Sequence, residues 1–199
     1  MSTKSLSARR GRPRMESAES HAAIMDAVYT LLREKSARDL TMEGVAKRAG
    51  VGKPTLYKWW PSKAALIMAM FHERIDKRAN PPSGGSTEQI LRANVKRLIR
   101  ELRGLFGKVM ADLIAEGQSE PDILKQLFEQ HMRPRRDAAI ERFRNAIEAG
   151  EFASDMKPEL LIDSVIGAVY YRMLLKFEPL TEEYGDQLID QALRGFRKP

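Results

Sequence analysis

The 199-residue chain has no cysteine. That excludes disulfides, thiolate nucleophiles, thiolate metal ligands and thiol redox switches. No apolar run approaches the ~20 residues that a bilayer-spanning helix needs. The basic N-terminus has no apolar signal core behind it, which points to a soluble, cytoplasmic protein and away from a membrane. Histidine is scarce: His21, His72 and His131 fall in three separate segments, without the His-x-x-x-His spacing of a metal site. Gly-rich phosphate loops and Gly-x-Ser-x-Gly nucleophile turns are missing as well. Asp112 and Glu116 lie four apart on one helical face, a pattern common on solvated helices. No grouping of residues points to an enzyme, a metal or a cofactor. Strand-like alternation and internal repeats are also lacking.

What the chain does have is charge in one place. Lys and Arg number 34 against 27 Asp and Glu, a net of +7. Residues 1–63 hold 13 basic and 6 acidic side chains, and the remaining 136 residues hold 21 of each. The whole excess therefore sits in the first third, as an electrostatic footprint for phosphate should. A hydrophobic content of 43% is enough for a packed core.

Within that basic third lies Thr41-Met-Glu-Gly-Val-Ala-Lys-Arg-Ala-Gly-Val-Gly-Lys-Pro-Thr-Leu-Tyr-Lys-Trp-Trp-Pro-Ser-Lys63. Thr41 is an N-cap. Met42, Val45, Ala46 and Ala49 share a helical face. Gly50 stands where a helix ends in a left-handed residue. Pro54 suits the first turn of the next helix, and Leu56 and Trp60, four apart, anchor that helix to a core. Its other face presents Lys53, Thr55 and Lys58, flanked by Tyr57 and Trp59. Pro61-Ser62 starts a further helix with Lys63 in its first turn, beside free N–H groups that favour phosphate. Helix, turn, short helix and basic face together form a helix-turn-helix, which fits the major groove of double-stranded DNA.

The pattern Ala-Gly-Val-x-x-x-Thr-Leu-Tyr-x-x-x-x-x-Lys resembles the TetR family of bacterial transcriptional regulators. The resemblance covers about 45 residues with the first helix included. It implies that Tyr57, Trp59 and Lys63 touch phosphates and that Lys53, Thr55 and Lys58 face bases. Thr41 then corresponds to a cap that also contacts the DNA backbone. Two positions depart from the family: Gly52 replaces the usual Ser or Thr, leaving the recognition helix without a side-chain cap, and Trp60 replaces a smaller apolar group. The resemblance also implies an effector pocket among helices between residues 87 and 177, with the fourth helix as lever, and dimerisation through the last two helices.

Before the first helix, Arg9-Arg10-Gly11-Arg12-Pro13-Arg14 gives an arm, residues 1–15, expected to be flexible because Gly and Pro disfavour helix. Arg12 and Arg14 belong to a stretch resembling an AT-hook, which enters a narrow minor groove; a basic tail acting by counterion release without sequence choice is the other reading.

The rest reads as helix throughout, giving an all-α protein of about nine helices. Expected spans are 17–36, the motif's two helices, 62–79, 87–103, 105–116, 121–149 interrupted at Pro134, 158–177, and a last helix capped by Thr181. Asn80-Pro-Pro-Ser-Gly-Gly-Ser86 breaks the chain into a DNA-binding domain, 16–80, and a C-terminal effector-binding and dimerisation domain, 87–199. The helix from Pro158 is apolar around most of its circumference and has Gly167 in its middle, which suits close approach of another backbone. Val165, Gly167, Ala168, Leu188 and Ala192 are the expected dimer contacts, by which two copies form a four-helix bundle across a twofold axis. Pocket candidates are Met110, His131, Arg135 and Tyr170, although methionine at helical spacing more often fills a core.

The expected function is a homodimeric, sequence-specific regulator of a palindromic operator, a repressor released by an unknown small-molecule effector. The alternative is a helix-turn-helix protein without effector, architectural or controlled by a protein partner. Deleting residues 1–14 is expected to weaken DNA binding and flatten its salt dependence, measured as affinity against salt concentration; unchanged affinity and slope would make the arm a mere leader.

Overall fold

The computed structural model describes the backbone of residues 12–76 and 84–196, and the side chains of 18–74 and 84–196. Among the described residues the chain is helical without a strand. The elements are α1 (Arg12–Glu34), α2 (Met42–Ala49), α3 (Lys53–Trp59), α4 (Lys63–Asp76), α5 (Thr87–Leu102), α6 (Leu105–Gly117), α7 (Pro121–Leu127), α8 (Arg133–Glu148), α9 (Pro158–Leu175) and α10 (Glu182–Leu193). A single π-helical turn, Phe128–Met132, joins α7 to α8. Counted as one interrupted rod, 121–148 makes nine helical rods among the described residues. None of them is long and apolar enough to cross a membrane.

The interruption has a chemical cause. Pro134 lies in the first turn of α8, where it has no N–H to give to the preceding turn and its ring crowds the carbonyl four residues back. The ladder widens by one residue just before it. Pro13 plays the milder N-terminal role in α1, which begins at Arg12. The expected arm of residues 1–15 overlaps α1, which takes in Arg12 and Arg14; their side chains, residues 1–11 and residues 77–83 lie outside the described residues. Where description resumes, Gly85 has φ 110° and Ser86 forms a reciprocal capping box with Gln89 that starts α5.

One hydrophobic cluster runs through the protein, and α4 is its axis. Ala64, Ala65, Leu66, Ile67, Met68, Met70 and Phe71 are all buried. On one side α4 meets α1, whose Ile24, Val28, Leu31 and Leu32 also face inward, and on the other it meets α7. Phe71 stands edge-on to Phe106 of α6 at 5.0 Å. Met68, Met70, Met110 and Met173 are packed in this core.

Farther from α4, α5 and α10 run antiparallel and carry opposite charge at four-residue spacing. Arg92 pairs with Asp190 at 2.5 Å, Lys96 with Asp186 at 2.8 Å and Arg100 with Glu182 at 2.8 Å. Arg92 also reaches Glu88 at 2.6 Å. Between the helices sits Gly185: a Cβ there would lie 2.7 Å from Ile99 Cδ1 and 3.0 Å from Val95 Cγ1. Gly185→Val is thus expected to overpack this contact at a cost of about 1–3 kcal/mol, lowering Tm by several degrees in a thermal melt.

Candidate nucleic-acid interface

The helix-turn-helix is built by α2 and α3. Thr41 caps α2, its hydroxyl accepting the Gly44 N–H at 3.0 Å. Gly50 ends α2 at φ 67°, a left-handed conformation that glycine reaches without a Cβ penalty. Gly52 opens α3 with no side-chain cap, so the missing Ser or Thr is not replaced by another local acceptor. Leu56 is fully buried and Trp60 nearly so, fixing the depth of α3 in the fold. Tyr57 is 53% exposed, and Lys53 and Lys58 are exposed, with Thr55 half-buried. Lys53 pairs with Glu43 of α2 across the turn.

Trp59 is held more firmly than its motif position suggests. It is half-buried, with its ring edge-on to Trp60 at 5.4 Å and against His21 of α1 at 5.6 Å. The His21 Nε2 in turn pairs with Glu73 of α4. α1 and α4 thereby set the tilt of the recognition helix through one imidazole.

Lys63 stands apart from the other basic candidates. Its Nζ donates to both oxygens of Glu116 on α6, at 2.7 and 3.0 Å, and to the Arg38 carbonyl at 3.4 Å. The pair is largely withdrawn from water, with side-chain exposures of 19% and 15%. One turn earlier on α6, Asp112 accepts the Ala37 N–H at 2.9 Å. Ser62, which caps α4 at the Ala65 N–H, also donates to Gln126 of α7 at 2.5 Å. The reading of Asp112 and Glu116 as an ordinary solvated pair is corrected: both carboxylates hold the DNA-reading part. A trace of this was in the sequence, since Glu116 has no Lys or Arg three or four residues away to satisfy it.

The pocket candidates divide. His131 is buried in the π-turn and its ring lies 2.6–2.8 Å from an Arg135 guanidinium nitrogen. His72 of α4 meets His131 at 5.6 Å and Phe106 meets it at 5.3 Å. Burial pushes the partly buried Tyr170 phenol up to about 12, with Arg135 pulling it the other way. Met110 is fully buried in the core. A cleft of about 460 Å³ opens elsewhere, lined by Leu102, Arg103, Arg172, Met173, Lys176 and Phe177 among others, and by none of the four candidates.

On α9, Leu160, Gly167, Tyr171, Leu174 and Leu175 are exposed, followed by Phe177. Ala168, Leu188 and Ala192 are half-buried. Val165 differs from the other expected dimer contacts: at 1% exposure it is packed inside its own protomer and offers no surface to a second copy. A helix that is apolar all round turns one side inward and leaves the other uncovered.

Comparison with known proteins agrees with this architecture. Residues 24–70 match the family model for bacterial regulatory proteins of the tetR family, and residues 81–192 match the tetracyclin repressor-like C-terminal domain. The HTH-type transcriptional regulator YdeS of Bacillus subtilis, itself uncharacterised, is 34% identical over 190 residues, covering 96% of this chain and 95% of that protein. Rv1556 of Mycobacterium tuberculosis, an uncharacterised HTH-type transcriptional regulator, is 30% identical over 174 residues, covering 85% and 84%. The crystal structure of the TetR family transcription regulator SCO0332 superposes with a TM-score of 0.74 at 32% identity, covering 89% of this chain and 98% of that one. A basic helix-turn-helix packed against α4, matched in both halves and along nearly the whole length of its relatives, places the chain in the TetR family of DNA-binding transcriptional regulators.

Proposed function

We propose that the protein is a homodimeric repressor that occupies a palindromic operator and leaves it when a small molecule fills the C-terminal helices. The observation that carries the reading is the exposed face of α3, with Tyr57, Lys53 and Lys58 turned outward from an anchored helix. In this reading Lys53, Thr55 and Lys58 meet base edges, Thr41, Tyr57, Trp59 and Lys63 meet phosphates, and Arg12 and Arg14 follow the adjacent backbone or minor groove. The division into a DNA-binding domain, 16–80, and an effector and dimerisation domain, 87–199, belongs to the same proposal.

The uncovered apolar face of α9 supports dimerisation, because Leu160, Tyr171, Leu174, Leu175 and Phe177 leave large apolar side chains in water unless a second copy covers them. Gly167, Ala168, Leu188 and Ala192 lie beside it and allow close helix approach. Two recognition helices then read two half-sites one helical turn apart. For the effector, His131, Arg135 and Tyr170 come together among the C-terminal helices, and this mixed polar and apolar surrounding supports a largely apolar small molecule with a polar group.

Selection of genomic fragments by the purified protein is expected to enrich one palindromic site, and a Tyr57→Ala/Lys63→Ala variant should lose that enrichment. Uniform, salt-sensitive binding without an enriched site would instead fit the effector-free architectural alternative. Light scattering at micromolar concentration should give a dimer for the native chain and a monomer for Gly167→Arg, which places a charge on the apolar face where the protomer has room for it; a native monomer would remove the dimer from the proposal.

A further inference from the structure

Lys63 has three N–H donors, and the protein itself engages them: two oxygens of Glu116 and the carbonyl of Arg38 surround the ammonium. In this conformation an arriving phosphate finds no free donor on Lys63. The carboxylate that occupies it belongs to α6, outside the helix-turn-helix, and the shielding of the pair from water keeps counterions from weakening it as they weaken surface pairs. We infer that Glu116 is a latch that competes with the DNA backbone for the Lys63 ammonium and so sets operator affinity from the C-terminal helices. This deepens the regulatory reading above and rests on its assignment of Lys63 to phosphate.

The neighbouring contacts explain how the latch would be worked. Asp112 ties the same helix to the Ala37 N–H, and Ser62, next to Lys63, is tied to Gln126 of α7. The start of α4 is therefore gripped from α6 and from α7. A displacement of α6 relative to α4 lengthens the 2.7 Å Lys63–Glu116 pair, and one of α7 pulls on Ser62, the residue next to Lys63. Any ligand that binds better to one arrangement of α6 shifts the fraction of free Lys63 by that difference in affinity. By linkage DNA acts back on the same contact: phosphate that captures Lys63 leaves Glu116 without its partner and loosens α6 from the reading head.

The test compares the native chain, Glu116→Gln, Glu116→Asp, Lys63→Met and the Lys63→Met/Glu116→Gln double variant. Binding is measured to the fragment selected above and to a random-sequence duplex of two to three helical turns, over a range of salt. The latch requires Glu116→Gln to bind about three- to tenfold more tightly than the native chain. Its log-log salt slope should steepen by up to about one, because Glu116 no longer recaptures a cation when Lys63 moves to phosphate. Glu116→Asp, with its carboxylate drawn back by one methylene, should fall between the two. In the Lys63→Met background the Glu116→Gln change should have no effect, which a merely structural role of Glu116 would not give. Native binding with Glu116→Gln unchanged or weaker overturns the latch and leaves the DNA-binding proposal standing. Binding to neither duplex overturns that proposal and the latch together.

Discussion

Burial of α4 on every side is the constraint from which the rest of the molecule follows. A helix that packs against α1 on one flank and α7 on the other cannot shift without disturbing both, because protein interiors are packed as densely as organic crystals and do not yield continuously. Its residues from Ala64 to Met68 are buried in unbroken succession, so neighbouring helices cover it from several directions at once. The reading helix hangs from this axis by Leu56, Trp60 and the His21 bridge to Glu73, while α6 and α7 grip the start of the same rod through Lys63 and Ser62. The hydrophobic cluster that confers stability is therefore also the mechanical connection between the two ends of the protein.

Polar contacts along that axis are few and differ in kind from the surface pairs. Arg48 with Glu34, or Arg133 with Glu129, joins groups that remain in water and contributes a few tenths of a kcal/mol. The groups around Lys63, Ala37 and Ser62 are more sheltered and each joins the reading head to α6 or α7. The apolar packing sets where α4 lies; these few directional contacts set which of its neighbours it follows.

The helix-turn-helix was legible because its signals are local. Thr41, Gly50, Pro54 and the Leu56–Trp60 pair act within one or two turns, and the left-handed Gly50 and the uncapped Gly52 follow directly from residue type. Pro134 likewise announced a break, although the form it took, one π-turn running straight into α8, depends on how α7 packs. The first helix reached back to Arg12 because Pro13 is harmless in a first turn, a rule that applies equally to Pro54. Pairings between distant segments were not legible. Glu116 with Lys63 and Asp112 with Ala37 span more than 50 residues, and no local spacing encodes them. Val165 illustrates the same limit: a helix apolar on all sides does not reveal in its sequence which side its own core takes.

The α5–α10 ladder has a consequence for assembly of the C-terminal helices. Three charge pairs repeated every four residues resemble the teeth of a rack, and a rack can engage one tooth out of place. Sliding α10 by a single turn would still set two acids opposite two bases, so electrostatics alone distinguishes the correct alignment from its neighbour only weakly. Gly185 removes the ambiguity. It is the notch that accepts Ile99 and Val95, and a slide of one turn in either direction would bring Thr181 or Ile189 to that spot, where a branched side chain would crowd both. The charges draw the two helices together along their length, and an absent side chain decides where they stop.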